Sequence, residues 1–86
     1  MKKIIGVWKP FELKQNFYVY DNGNKIDAIS IKMDEINNTI FNLQKKYNIN
    51  DIELIGPKQF SKGIKNLFLA EEKNKFNKNK TNINII

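Results

Sequence analysis

The sequence predicts a single α/β domain in which a mixed β-sheet is covered mainly on one face by two helices. Two observations carry this prediction. An Asn22-Gly23 pair, the strongest short signal for a β-hairpin, separates two strand-like runs. After residue 33 the hydrophobic period lengthens from two residues to between three and four, which indicates helices on either side of a short apolar strand. The predicted order is β-β-β-α-β-α, and a final β-strand can follow.

The first three strands form the predicted antiparallel trio. Residues 3–8 are apolar and β-branched, and residues 16–20 are strongly strand-like. Residues 25–32 form the partner strand across the Asn-Gly turn. Because alternate residues of a strand face the same side of a sheet, we expect Ile29 and Ile31 to face the core.

Two amphipathic helices are predicted after this trio. The first has Asp34 as its N-cap and carries apolar residues at spacings of three and four. This stripe consists of Met33, Ile36, Ile40, Leu43 and Tyr47. The second helix covers about residues 58–73, and one side of it is marked by Phe60, Ile64, Leu67, Phe68 and Glu71.

The chain divides by composition into a compact α/β domain, residues 1–73, and a Lys/Asn-rich tail, residues 74–86. The short strand between the helices covers residues 52–55. At the end of the tail, residues 82–86 alternate between Asn and Ile and can add a last strand to the sheet.

This order of elements resembles the ribonuclease H-like fold, in which three antiparallel strands precede alternating helices and parallel strands. The most specific local likeness is Ile52-Glu53-Leu54-Ile55-Gly56-Pro57-Lys58 leading into Phe60. It looks like the strand–Gly-Pro–helix corner of this fold in the middle domain of release-factor-like proteins. The resemblance covers nearly the whole chain at the level of topology, and it implies a fold rather than an activity.

Active nucleases of this family hold two metal ions with carboxylates from several strands and helices. The resemblance therefore implies an Asp on the first strand, a Glu on the first helix and an Asp after the fourth strand. Residues 3–9 contain no acid, Glu35 matches the helix position, and Gly56-Pro57 occupies the third position. One match in three does not make a metal site, so we expect neither nuclease activity nor a bound metal.

The composition also excludes most other catalytic chemistry. The chain has no Arg, His or Cys, which removes disulfides, thiol nucleophiles, imidazole bases and ordinary zinc sites. Ser30 and Ser61 have no His partner for nucleophilic catalysis. We therefore expect a non-enzymatic protein with no cofactor and no small-molecule substrate. Without a signal-like or membrane-spanning run, we expect it to be cytoplasmic, with no membrane partner.

The positive charge is concentrated near the end of the chain. The net charge is +6, of which residues 1–72 contribute +2 and residues 73–86 contribute +4 from four Lys and no acid. Lysines with an embedded aromatic residue can follow a phosphate backbone and stack on a base. The candidate residues for binding nucleic acid or a nucleoprotein are Lys58, Lys62, Lys65, Lys73, Lys75, Phe76, Lys78 and Lys80. A solubilising tail and a solvated helix face explain the same lysines equally well.

The alternative is a protein-binding module. Small domains with a half-open sheet often bind a partner, or a second copy, through a strand edge or an aromatic face. Trp8, Tyr18 and Tyr20 are the candidate interface residues. Under this hypothesis the chain is a homodimer, an adaptor, or a virus- or plasmid-encoded inhibitor of a host nuclease or defence complex.

Overall fold

The computed structural model describes residues 1–74 and 81–86 and confirms the predicted α/β class. The strands are β1 (Lys2–Lys9), β2 (Lys14–Asp21), β3 (Asn24–Lys32), β4 (Asp51–Ile55) and β5 (Asn82–Ile85). The helices are α1 (Ile36–Tyr47) and α2 (Lys58–Asn74), and a short 3₁₀ turn (Met33–Glu35) precedes α1. The final strand that the alternating Asn/Ile segment suggested is thus present.

All five strands belong to one mixed sheet with the order β3-β2-β1-β4-β5. β1, β2 and β3 pair antiparallel, whereas β4 pairs parallel with β1 and β5 pairs parallel with β4. Each parallel strand is reached through a helix, because a parallel neighbour requires a long crossover connection. β1 therefore lies at the centre of the sheet, between the antiparallel and the parallel halves.

The hydrophobic core lies between the two helices and one face of the sheet. Its buried strand residues alternate along the central strands, as expected for a sheet with one covered face. They are Ile4, Phe17, Val19, Ile52, Leu54 and Ile83, and the helices contribute Ile36, Ile40, Leu43, Ile64 and Phe68. Ile29 and Ile31 pack against this cluster from β3, as the strand alternation predicted.

The hairpin between β2 and β3 has the predicted Asn-Gly turn. Asn22 and Gly23 both have positive φ values, 50° and 83°, which is the geometry of a type I′ turn. The amide N–H of Asn22 donates to the carbonyl of Met1 at 3.0 Å. This bond ties the end of the hairpin to the start of β1.

Asp34 does not cap α1, so that prediction is wrong. Asp34 lies inside the 3₁₀ turn, and neither the turn nor α1 has a side-chain hydrogen bond at its N-cap. The backbone is already in a 3₁₀ conformation for three residues directly after β3. Asp34 therefore lacks the extended conformation that an N-cap residue normally has. Met33 is part of the same turn and is 51% exposed instead of buried on the apolar stripe of α1.

The apolar face of α2 is narrower than the sequence predicted. Ile64 and Phe68 are buried, and so is the polar Ser61. Leu67, which the spacing placed on the core side, is 66% exposed. It borders an open groove between the two helices.

Candidate binding surfaces

Lys58, Lys62 and Lys65 form one cationic line along α2, here called the lysine ridge. Their spacings of four and three residues place them on neighbouring turns of the same helix face. At 1.5 Å per residue the line is about 10 Å long. Lys58 and Lys62 are exposed and Lys65 is partly exposed. None of the three forms an ion pair with another residue that the structure describes.

The other predicted basic residues are not part of the described surface. Lys73 belongs to α2 by its backbone. Lys75, Phe76, Lys78 and Lys80 lie outside the described residues. Their contribution to binding stays a prediction.

The three aromatic interface candidates are divided between the two faces of the sheet. Trp8 faces the helices and stacks on Phe60 of α2, with 4.2 Å between the ring centroids. Tyr18 and Tyr20 lie on the opposite face, because they alternate along β2 with the buried Phe17 and Val19. A single partner surface cannot contact Trp8 and the two tyrosines together.

The tyrosine-bearing face carries lysine side chains beside its aromatic and aliphatic groups. Lys3 is paired with Glu53 across β1 and β4, with 2.9 Å between Nζ and Oε1. Lys25 Nζ lies 5.6 Å from the centroid of the Tyr18 ring, within the range of a cation–π contact. Ile5 is the Cα partner of Tyr18 on this face. The face therefore combines aromatic and aliphatic groups with one ion-paired lysine and one lysine that lies over a tyrosine ring.

An apolar groove separates the start of α1 from α2. Its volume is about 480 Å³, which is within the range typical of small ligand sites. The side chains of Ile36, Phe60 and Leu67 form part of its walls. Gly63 of α2 also lines it, and a Cβ atom built on Gly63 would meet nothing within 4 Å. The sequence patterns did not predict this groove, and the isolated Gly63 within a helix is the signal that could have drawn attention to this position, since a glycine there weakens the helix.

A side-chain hydrogen bond connects the end of α1 to the sheet. The hydroxyl of Tyr47 donates to Oδ2 of Asp27 at 2.6 Å and joins the end of α1 to β3. This bond, together with the Ala28 amide and the nearby Lys46, lowers the pKa of the Asp27 carboxyl, and the same bond raises the pKa of the Tyr47 hydroxyl.

A buried network holds β5 against both helices. Nε2 of Gln44 donates to Oγ1 of Thr81 at 2.9 Å, and Oγ1 of Thr81 donates to Oε1 of Glu72 at 3.1 Å. Gln44 belongs to α1, Glu72 to α2, and Thr81 directly precedes β5. The amide N–H of Thr81 also donates to Glu72, at 3.2 Å. One threonine thus connects three elements.

Within residues 1–74 and 81–86, no group of three or more acidic side chains could hold a metal ion. Glu35, which matched the helix position of the nuclease pattern, is exposed in the 3₁₀ turn. No helix in the described part of the chain is both long and apolar enough to cross a membrane.

The described surfaces define a small α/β domain with a cationic ridge, a half-open sheet and an apolar groove. Comparison of the chain with protein-family models, curated proteins and solved structures found no match.

Proposed function

We propose that this protein works by binding, without catalysis, and contacts nucleic acid or a nucleoprotein in the cytoplasm through the lysine ridge. The observation that carries the proposal is the alignment of Lys58, Lys62 and Lys65 on one accessible helix face with no acidic partner among the described residues. Unpaired surface cations in a row suit a row of phosphates better than they suit a neutral partner.

The ridge is long enough to contact more than one phosphate of a nucleic acid. Duplex DNA carries about one negative charge per 1.7 Å of helix axis, so a line of about 10 Å faces several phosphates at once. Lysine contributes a compact point charge and cannot form the bidentate contact that arginine makes with guanine. Binding should therefore depend strongly on salt and weakly on sequence. The first turn of α2 contains no acid that would repel a phosphate near Lys58.

The tail residues extend this proposal. Lys73, Lys75, Lys78 and Lys80 would add backbone contacts, and Phe76 would stack on an unpaired base. Their role is best tested by substitution with Gln or Ala, because a deletion to residue 86 would also remove β5. Loss of a sheet strand would lower binding for structural reasons alone.

The test compares two triple variants of equal net charge. K58Q/K62Q/K65Q removes the ridge, and K25Q/K32Q/K45Q removes three exposed lysines from β3 and α1. Each triple lowers the net charge from +6 to +3. Fluorescence anisotropy with a labelled 20-nucleotide strand and a 20-base-pair duplex measures affinity. We expect the ridge variant to bind at least ~10-fold more weakly than the control triple.

Two outcomes would contradict the proposal. Equal losses in both triples would mean that net charge, and not the ridge, attracts the nucleic acid. Unchanged affinity in the ridge triple would mean that α2 does not contact the nucleic acid.

The ribonuclease H-like relationship also stays a proposal. It is supported by an antiparallel trio of strands followed by helices that alternate with parallel strands. An experimental structure with β4 antiparallel to β1, or with β5 outside the sheet, would contradict it.

A further inference from the structure

The turn between β1 and β2 exposes an unusual amount of apolar surface. Phe11 is fully exposed and Leu13 is 66% exposed. Leu13 has a φ of 52°, a left-handed backbone conformation that residues other than Gly, Asn and Asp adopt infrequently. The turn is held in this shape by hydrogen bonds from the amides of Glu12 and Leu13 to the carbonyls of Lys9 and Pro10. Residues 10–13 thus form a defined apolar tip, here called the turn tip.

Two lysines stand opposite each other at the base of the turn tip. Lys9 and Lys14 are Cα partners in the last pair of the β1–β2 ladder, and both are exposed. Like charges directly opposite each other destabilise a strand pair. Neither lysine has an ion-pair partner among the described residues, and Glu12 offsets one of the two charges. The turn tip and the two lysines at its base therefore combine apolar side chains with a net charge of +1.

The groove between α1 and α2 has the complementary properties. Its apolar lining includes the exposed side chains of Met33 and Leu67, and its charged lining residues are Asp34 and Glu71. No lysine is among the lining residues that the structure describes, although the chain contains 15. In a basic protein, this groove is an acidic and apolar site.

We propose that the groove of one molecule binds the turn tip of a second copy of this chain, so that Phe11 and Leu13 are buried against Leu67 and its neighbours. Lys9 and Lys14 would then approach the acids of the groove, which relieves their mutual repulsion. An apolar anchor in a pocket with charged groups at its rim is the usual arrangement of a strong interface contact.

The two surfaces lie near each other on the molecule. Trp8 immediately precedes Lys9 at the base of the turn tip, and it stacks on Phe60, which lines the groove. Because the turn tip and the groove lie at the same end of the molecule, two copies related by a two-fold axis can each place their turn tip in the groove of the other. Such an exchange closes the assembly at a dimer, whereas a tip and a groove on opposite ends would build a chain of subunits.

The dimer is compatible with the lysine ridge. Lys58, Lys62 and Lys65 are not among the residues that line the groove. A dimer would carry two ridges on one particle, and two linked sites bind a long nucleic acid more tightly than one.

Sedimentation equilibrium across a concentration series of about 5 μM to 1 mM tests the proposal directly. This range detects dimers with dissociation constants from about micromolar to about millimolar. We expect the apparent mass to rise from the monomer value of 10.1 kDa toward twice that value. Phe11→Ser and Leu67→Lys change exposed side chains and should leave the fold intact. Each should weaken the dimer roughly 100-fold, because burial of both symmetry-related side chains is lost.

Ile26→Ser is the matched control, because Ile26 is an exposed apolar residue on β3, away from both surfaces. It should dimerise like the unchanged protein, and circular dichroism should show the same fold in all variants. A monomer at every concentration would overturn the proposal. So would a dimer that Phe11→Ser and Leu67→Lys leave intact, and so would a mass that grows beyond the dimer.

Discussion

The same substitution, Gly to Ala, should have opposite effects on stability at two positions of this protein. Gly6 lies in β1 on the face that packs against the core. A Cβ atom there would approach Nε2 of Gln15 to 2.6 Å and Cε1 of Phe17 to 2.9 Å. Both neighbours are essentially fully buried and cannot move into solvent. Gly63 lies in α2, and its Cβ position is open. The structure therefore predicts overpacking at one glycine and a better helix at the other.

The expected magnitudes follow from these contacts. Gly6→Ala adds a methyl group to a filled site, and such overpacking typically costs about 1–3 kcal/mol of unfolding free energy. Gly63→Ala removes a poor helix former without a clash, which stabilises by about 0.5–1 kcal/mol. In a domain of this size, a change of 1 kcal/mol shifts the melting temperature by roughly 4–8 °C.

Urea titration and thermal melting at low micromolar concentration, each followed by circular dichroism, would measure both effects with little contribution from self-association. We expect Gly6→Ala to melt at a lower temperature than the unchanged protein and Gly63→Ala at a higher one. If Gly6→Ala were as stable as the unchanged protein, the conclusion that β1 packs too closely against β2 and β4 to admit a methyl group would be wrong. If Gly63→Ala were destabilised, the groove at that position would be filled in the monomer.

Two further predictions concern the polar contacts. Tyr47→Phe removes the hydrogen bond that most lowers the pKa of Asp27. The Asp27 pKa should rise toward 3.8 in a ¹³C NMR titration of its carboxyl, and an unchanged value would contradict the assignment. A lowered carboxyl pKa stabilises the fold above about pH 4, and this stabilisation is lost as the solution becomes more acidic. The variant should therefore be less stable than the parent above about pH 4, and the difference in stability should disappear at lower pH. Thr81→Val keeps the side-chain shape but leaves the Gln44 amide and Glu72 without their hydroxyl partner. It should cost about 1–3 kcal/mol by urea titration and speed amide exchange in β5, and normal exchange there would count against the network.

The sequence was sufficient for the elements that local chemistry determines. Asn22-Gly23 predicts its turn because both residues tolerate positive φ, and Ile52 to Ile55 predicts a buried strand by composition. The buried Gln15 was missed, since a polar residue gives no core signal. It is buried because it packs beside Gly6, where the missing side chain leaves space.

The surfaces were less predictable because they depend on how elements pack. Spacing placed Leu67 on the apolar side of α2, but the separation between α1 and α2 leaves it at an open groove. Trp8 and Tyr18 are both aromatic strand residues, and their sequence positions alone do not assign them to a face. The strand register does so, because Trp8 is paired with the buried Gln15, whereas Tyr18 is paired with Ile5 on the other face. Strand register is a tertiary property, and a shift of one residue would exchange the faces.

The salt dependence of nucleic-acid binding tests the central claim most directly. Three phosphate contacts from Lys58, Lys62 and Lys65 contribute a slope of about −2 to −3 in a plot of log K against log salt concentration. The plot for K58Q/K62Q/K65Q should be shallower than that of the unchanged protein by this amount, whereas K25Q/K32Q/K45Q should keep the original slope. Parallel plots for the ridge variant and the unchanged protein would contradict the assignment of the lysine ridge as the nucleic-acid contact.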